Sequence, residues 1–172
     1  MERGPAIVLI GFMGAGKSTV GRELSRLTAL PRYDTDEMVI TQARRSIAEI
    51  FAAGGEEDFR RWESEALAHI PHGAAIVITG GGIVLRAENV EQLRRLGFVI
   101  HLTATEETLF TRASRNGVRP LLKTANPRAT MATLLSAREP LYRAAADFTV
   151  DTSQLEPEKV AATITTWINA NE

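Results

Sequence analysis

Gly11, Phe12, Met13, Gly14, Ala15, Gly16, Lys17, Ser18 and Thr19 follow one another and fit G-x-x-x-x-G-K-[S/T] without a gap. The glycines let the backbone turn tightly and approach a ligand. Successive N–H groups from Gly14 to Thr19 can then converge on phosphate oxygens, helped by a helix N-terminus. Lys17 adds a mobile positive charge for the outer phosphates, and the Ser18 hydroxyl is placed to ligate Mg²⁺. A chance glycine-rich turn would lack the flanks found here. Ala6 to Ile10 is a short apolar run suited to a buried parallel strand. Val20, Leu24 and Leu27 follow at helical spacing. Binding of a nucleoside triphosphate with Mg²⁺ is the reading of this stretch; it says nothing about the acceptor.

Asp34 and Asp36 are two apart in what reads as extended chain, which aims both carboxylates to one side with Thr35 opposed. One can hold a water on Mg²⁺. The other can orient an acceptor hydroxyl and take its proton. Taken alone, the pair also fits an exposed acidic turn. Arg60 and Glu63 are three apart beside Phe59 and Trp62, which should face the core and leave a charged edge. Arg60 can clamp an anionic acceptor while Glu63 holds the guanidinium, or the two can be a plain surface pair. Gly80, Gly81 and Gly82 follow an apolar run and offer bare backbone donors. Arg112, Arg115, Arg119, Lys123 and Arg138 concentrate positive charge in one third of the chain. The segment from Arg115 to Ala125 can close over phosphates and exclude water, with Arg119 facing the transferring group. Arg138 falls at an expected helix end, where a cation is favoured anyway. His101 lies in an expected strand and reads as a satisfied structural residue; His69 and His72 read as surface.

These groups need a scaffold, and the chain alternates short apolar runs with amphipathic stretches. Arg32 and Tyr33 lead a short strand into Asp34. Ser46, Ile47, Ala48 and Glu49 form a capping-box pattern, and Gly54 and Gly55 should stop that helix. A further helix is expected from about Glu57 to Ile70. Ala75 to Thr79 reads as a strand, Val90, Leu93 and Leu96 as a helix, and Phe98 to Leu102 as a strand. Thr103 or Thr105 can cap the helix holding Leu109. Asn126 and Pro127 open another helix, Phe148 to Val150 is the last strand, and Glu156 and Pro157 start the last helix. Strands separated by helices imply a mostly parallel sheet in an α/β sandwich, with ligands beyond the C-terminal strand ends.

Composition sets limits. Within 172 residues, 20 lysines and arginines face 21 acidic groups, a formal charge of −1 that argues against a dedicated nucleic-acid binder. There is no cysteine, which excludes thiol catalysis, disulfides and thiolate metal sites. No segment reads as a signal peptide or a membrane span. The expectation is a cytoplasmic monomer with neither nucleic-acid nor membrane partner.

The phosphate loop resembles that of many nucleotide-binding proteins. A longer ordered set is more specific. It comprises Asp34-Thr35-Asp36, Ser46-Ile47 with Glu49-Ile50-Phe51, Gly55-Glu56 with Phe59-Arg60 and Glu63, Gly80-Gly81-Gly82, Arg119-Pro120-Leu121-Leu122, and Arg138 with Pro140-Leu141-Tyr142. Together these resemble shikimate kinase over almost the whole chain. The resemblance implies a single three-layer α/β/α P-loop domain of the nucleoside-monophosphate-kinase type. Its five-stranded parallel sheet would have the order 2-3-1-4-5, and a mobile lid would lie at 112–125. It implies transfer of the ATP γ-phosphoryl group to the 3-hydroxyl of shikimate, with Mg²⁺. Shikimate contacts would fall on Asp36, Arg60, Gly80, Gly81, Gly82 and Arg138. Asp34 would reach Mg²⁺ through water, Lys17 and Arg119 would be the phosphate cations, and Arg112 would pack against adenine. Shikimate's one carboxylate and several hydroxyls suit two arginines and an aspartate. Two places depart from the family pattern. Leu155 stands where some members carry a second adenine-side arginine, and Arg143-Ala144-Ala145-Ala146 replaces a common acidic stretch. A kinase for gluconate or a nucleoside monophosphate, and a non-enzymatic ligand sensor, are the competing readings. The Arg60, triple-glycine and Arg138 set argues against the first, and the retained phosphate-transfer residues against the second.

Overall fold

A computed structural model describes residues 3–115 and 119–171. Five strands form one parallel sheet: β1 (Ala6–Ile10), β2 (Arg32–Asp34), β3 (Ile76–Ile78), β4 (Gly97–Thr103) and β5 (Phe148–Asp151), in the order β2-β3-β1-β4-β5. The helices are α1 (Lys17–Thr28), α2 (Thr35–Ala43), α3 (Ile47–Ala68), α4 (Ala87–Leu96), α5 (Glu106–Arg115), α6 (Pro127–Ala145) and α7 (Pro157–Asn169). They cover both faces and complete three layers. Because both faces are covered, β1 and β3 are apolar at every position and buried throughout. Among the described residues no helix is long and apolar enough to cross a membrane.

Register brings the chemistry to one edge. Leu9 pairs with Ile78, Ile10 with His101 and Asp34 with Ile78. The loop after β1, the turn after β2 and the triple glycine after β3 therefore leave the sheet side by side, at the C-terminal strand ends.

Local signals explain most boundaries. Ser46 and Glu49 form the expected capping box. The expected stop at Gly54 and Gly55 is a break rather than an end. Gly55 sits at φ 71°, ψ −168° inside α3, and a second helical segment continues to Ala68. Met38, Val39, Ile50, Phe59, Ala66 and Trp62 pack around that break as a small second core, which fixes the segment bearing Arg60. Thr105 is the residue that caps α5. Asn126 caps α6 as expected.

Two further expectations about the elements are corrected. Asp34 and Asp36 do not share an extended strand. β2 ends at Asp34, whose Oδ1 accepts from the backbone N–H of Asp36 at 2.9 Å and of Glu37 at 3.4 Å, capping α2. Arg138 is not at a helix end, since α6 runs on through Pro140 to Ala145. Pro140 lacks the N–H that would bond Ser136. Both residues are exposed, so water can meet the freed carbonyl.

Candidate active site

The loop after β1 ends in Gly16, the α1 N-cap, which adopts φ 93°, ψ 15° and brings no capping side chain. The first N–H groups of α1 thus remain available to an anion. Lys17 folds back over the loop, its Nζ donating to the carbonyls of Gly11 at 2.7 Å and Phe12 at 3.0 Å. Burial pushes its pKa down to about 8, aided by Arg119 and opposed mainly by Asp36. Ser18 and Thr19 are exposed at the mouth.

Across the loop, Thr152 at the end of β5 was not singled out by sequence reasoning. It is buried, and its Oγ1 lies 3.1 Å from the carbonyls of both Ala15 and Thr103. Arg112 donates to that Oγ1 and to the Thr152 carbonyl, each at 2.9 Å. One threonine therefore ties the phosphate loop to the arginine on α5.

A second group of charges lies below the triple glycine. Arg60 and Glu63 are buried rather than on the expected edge, and Arg60 Nη1 donates to Glu63 Oε2 at 2.7 Å. Glu56 Oε1 accepts from Arg60 Nη2 at 3.1 Å and Nε at 3.3 Å. Arg138 is also buried, one helical turn before Tyr142. The Tyr142 hydroxyl donates to the Gly81 carbonyl and pins the glycine run, a role no local pattern announced. His101 stacks on the Tyr142 ring with centroids 5.2 Å apart. It is not the satisfied residue expected: Nδ1 is buried without a partner among the described residues, and Nε2 is 3.9 Å from Glu139. Burial pushes its pKa down.

A cleft of about 590 Å³ is lined by residues 13–20, Asp34, Asp36, Arg112, Arg119 and the 152–157 stretch, including Leu155. A smaller cavity of about 90 Å³ is lined by Arg60, Gly82, Arg138 and the apolar side chains of Ile47, Phe51, Phe59 and Leu121. Met13, Asp36, Gly80, Gly81 and Arg119 line both. Every residue expected from sequence to touch nucleotide, Mg²⁺ or shikimate borders one cavity or the other, while Glu63 lies behind Arg60 and borders neither; Ile47, Phe51 and Leu121, present in the family-like motifs without a site role, supply apolar walls. Lys123 is exposed and borders neither. At the shared wall, Asp36 Oδ1 and Arg119 Nε are buried with no hydrogen-bond partner among the described residues. Desolvation pushes the Asp36 carboxyl up, against the pull of Lys17, Arg119 and Arg60. Asp34 is raised by the same cause and by Asp36.

The described residues contain no cluster of three or more His, Asp or Glu side chains that could hold a metal by themselves. Ser18 and Asp34 line the large cleft, and both capping bonds fall on Asp34 Oδ1, leaving Oδ2 outside the cap. Such a sparse oxygen set fits Mg²⁺, which keeps waters and takes phosphate oxygens.

A phosphate-cradling loop after the central strand of a 2-3-1-4-5 parallel sheet, opening beside a second cavity walled by arginines, defines a P-loop kinase. Similarity to known proteins narrows the class. The shikimate kinase family model matches residues 13–169, and the chain belongs to that family. It is 47% identical over 161 residues to the shikimate kinase of Symbiobacterium thermophilum, covering 92% of each chain. With the shikimate kinase of a Marinomonas species it shares 41% identity over 164 residues, covering 94% of this chain and 90% of that one. The structure of the Acinetobacter baumannii shikimate kinase in complex with shikimate superposes with a TM-score of 0.92 at 36% identity, covering 98% of this chain and 94% of that one.

Proposed function

We propose that the large cleft holds ATP, that the small cavity holds shikimate, and that the γ-phosphoryl group crosses the wall they share to the 3-hydroxyl. Family membership carries the activity: the chain phosphorylates shikimate from ATP. The observation that carries the site assignment is the shared wall, where among the described residues Asp36 Oδ1 and Arg119 Nε are buried without a hydrogen-bond partner at the place donor and acceptor would meet.

Gly14 to Thr19 cradle the phosphates through their N–H groups. Lys17 leaves its loop carbonyls to meet the outer phosphates, and Arg119 faces it across the transferring group. Mg²⁺, when bound, supplies further charge neutralisation, with the Ser18 hydroxyl and, through water, Asp34 holding it. Arg112, fixed by Thr152, borders the adenine. Arg60 and Arg138 grip the acceptor's carboxylate, and the glycine run lies along its ring. Asp36 holds the hydroxyl, and its raised pKa suits it to accept the proton. Transfer is in line, without a covalent enzyme intermediate. The 112–125 segment serves as a lid over the phosphates; residues 116–118 of it lie outside the described residues.

The reading is tested by ADP release measured in parallel with shikimate, gluconate and nucleoside monophosphates. Shikimate alone is expected to drive turnover. Folded protein that consumed no ATP with Mg²⁺ and shikimate would overturn it.

Two further outcomes are expected. A methyl group at Gly82 would overlap the Arg60 guanidinium. Gly82→Ala must displace that side chain, and overpacking of this kind costs about 1–3 kcal/mol. The KM for shikimate is expected to rise roughly five- to a hundredfold with the KM for ATP little changed. Steady-state kinetics in both substrates checks it. The second concerns pH. Free Lys17 titrates near 8, and bound phosphates raise that value. Below the free value Lys17 is already charged and affinity is flat. Above it, binding must take up a proton, so ATP affinity falls as pH rises beyond about 8. Calorimetry at pH 9 in two buffers of different ionisation enthalpy should register proton uptake in wild type and none in Lys17→Met.

A further inference from the structure

Arg60 is held by two carboxylates of different character. Glu63 is fully buried and bonds Nη1 at 2.7 Å. The Glu56 side chain is 44% exposed, and a single oxygen, Oε1, touches Arg60 Nη2 at 3.1 Å, Arg60 Nε at 3.3 Å and Arg138 Nη2 at 3.7 Å. That one anionic oxygen bridges two guanidiniums whose side chains are 6% and 4% exposed. Two buried cations left without a shared anion would repel and lose solvation.

We infer that Glu56 is a placeholder for the acceptor's carboxylate, neutralising and aligning Arg60 and Arg138 until shikimate displaces it. The inference rests on the reading of Arg60 and Arg138 as the carboxylate clamp. Its support is local. Glu56 follows Gly55, whose φ of 71° breaks α3, so it opens a helical segment. Its half-exposed side chain can turn to water at small cost, whereas Glu63 has nowhere to go. Two carboxylates on one guanidinium pair repel each other, so the incoming acid and Glu56 compete. Arg60 Nη1 stays on Glu63 throughout, and the clamp keeps its orientation while Glu56 leaves. Glu56 is thus a positioning residue that sets how tightly acids are taken.

The test is Glu56→Gln, with shikimate affinity measured by calorimetry and both KM values by kinetics. Removing a half-exposed competing charge is expected to tighten shikimate about two- to fivefold, in Kd and in KM alike, while the KM for ATP stays put. Shikimate methyl ester, which brings no carboxylate, should gain nothing. A shikimate affinity that is unchanged or weakened, or an ester that gains as much as the acid, overturns the proposal. Arg138→Ala separates this from failure of the clamp reading. If it leaves the KM for shikimate unmoved, the clamp itself is wrong. If it raises that KM while Glu56→Gln fails to tighten binding, only the placeholder role falls.

Discussion

Asp36→Asn is expected to lower kcat by about 10²–10⁴-fold, the range typical of a positioned general base. The substitution keeps shape and removes one charge. Among the described residues, Asp36 is the one aspartate common to the linings of both cavities, and its Oδ1 has no hydrogen-bond partner. Burial raises its pKa, which strengthens it as a proton acceptor, while Lys17, Arg119 and Arg60 keep the charged form attainable. The fold should survive, because the same carboxylate pushes the buried Glu63 up and its loss relieves that repulsion. Steady-state and single-turnover kinetics, with a thermal melt beside them, check both halves. An unchanged kcat in a folded variant would remove Asp36 from the chemistry.

Arg60→Ala is expected to cost stability as well as binding. It leaves Glu63, buried completely, without its partner. Breaking a buried pair from one side costs about 3–5 kcal/mol, a large share of the about 5–15 kcal/mol available to a domain. Shikimate affinity should fall with it, since one arm of the clamp is gone. The double variant Arg60→Ala, Glu63→Gln distinguishes the two losses. Urea unfolding should show stability partly restored, because no unpaired charge remains. The KM for shikimate should stay high. If the double variant regained shikimate affinity together with stability, Arg60 would be a structural residue and not a clamp.

Much of the scaffold was legible because local chemistry fixed it. The run from Gly11 to Thr19 announces its own strand and helix, and Ser46 with Glu49 marks a helix start. The strand order came from family resemblance, since parallel strands of similar apolar runs carry no local sign of their neighbours. Misreadings have identifiable causes. Strand alternation predicts that Asp34 and Asp36 share a face, although Asp34 followed three residues later by Glu37 is also a helix-start pattern. A helix end is expected at Arg138, yet α6 tolerates Pro140 within it and runs on to Ala145. Thr152 and Tyr142 act through hydrogen bonds that span 137 and 61 residues, to Ala15 and Gly81. No spacing rule reaches that far. Glu56 belongs to the family-like motif without a role of its own, and only the burial of Arg60 and Arg138 gives it one.

On the proposed function, an acid and an alcohol on one small molecule are held at opposite ends of the small cavity, beside the donor's last phosphate. A crystal structure with shikimate, Mg²⁺ and a non-hydrolysable ATP analogue measures it directly. The shikimate carboxylate is expected on Arg60 and Arg138, its 3-hydroxyl within hydrogen-bond distance of Asp36, and the terminal phosphate between Lys17 and Arg119. Shikimate seated with its carboxylate away from both arginines, or its 3-hydroxyl turned from Asp36, would contradict it.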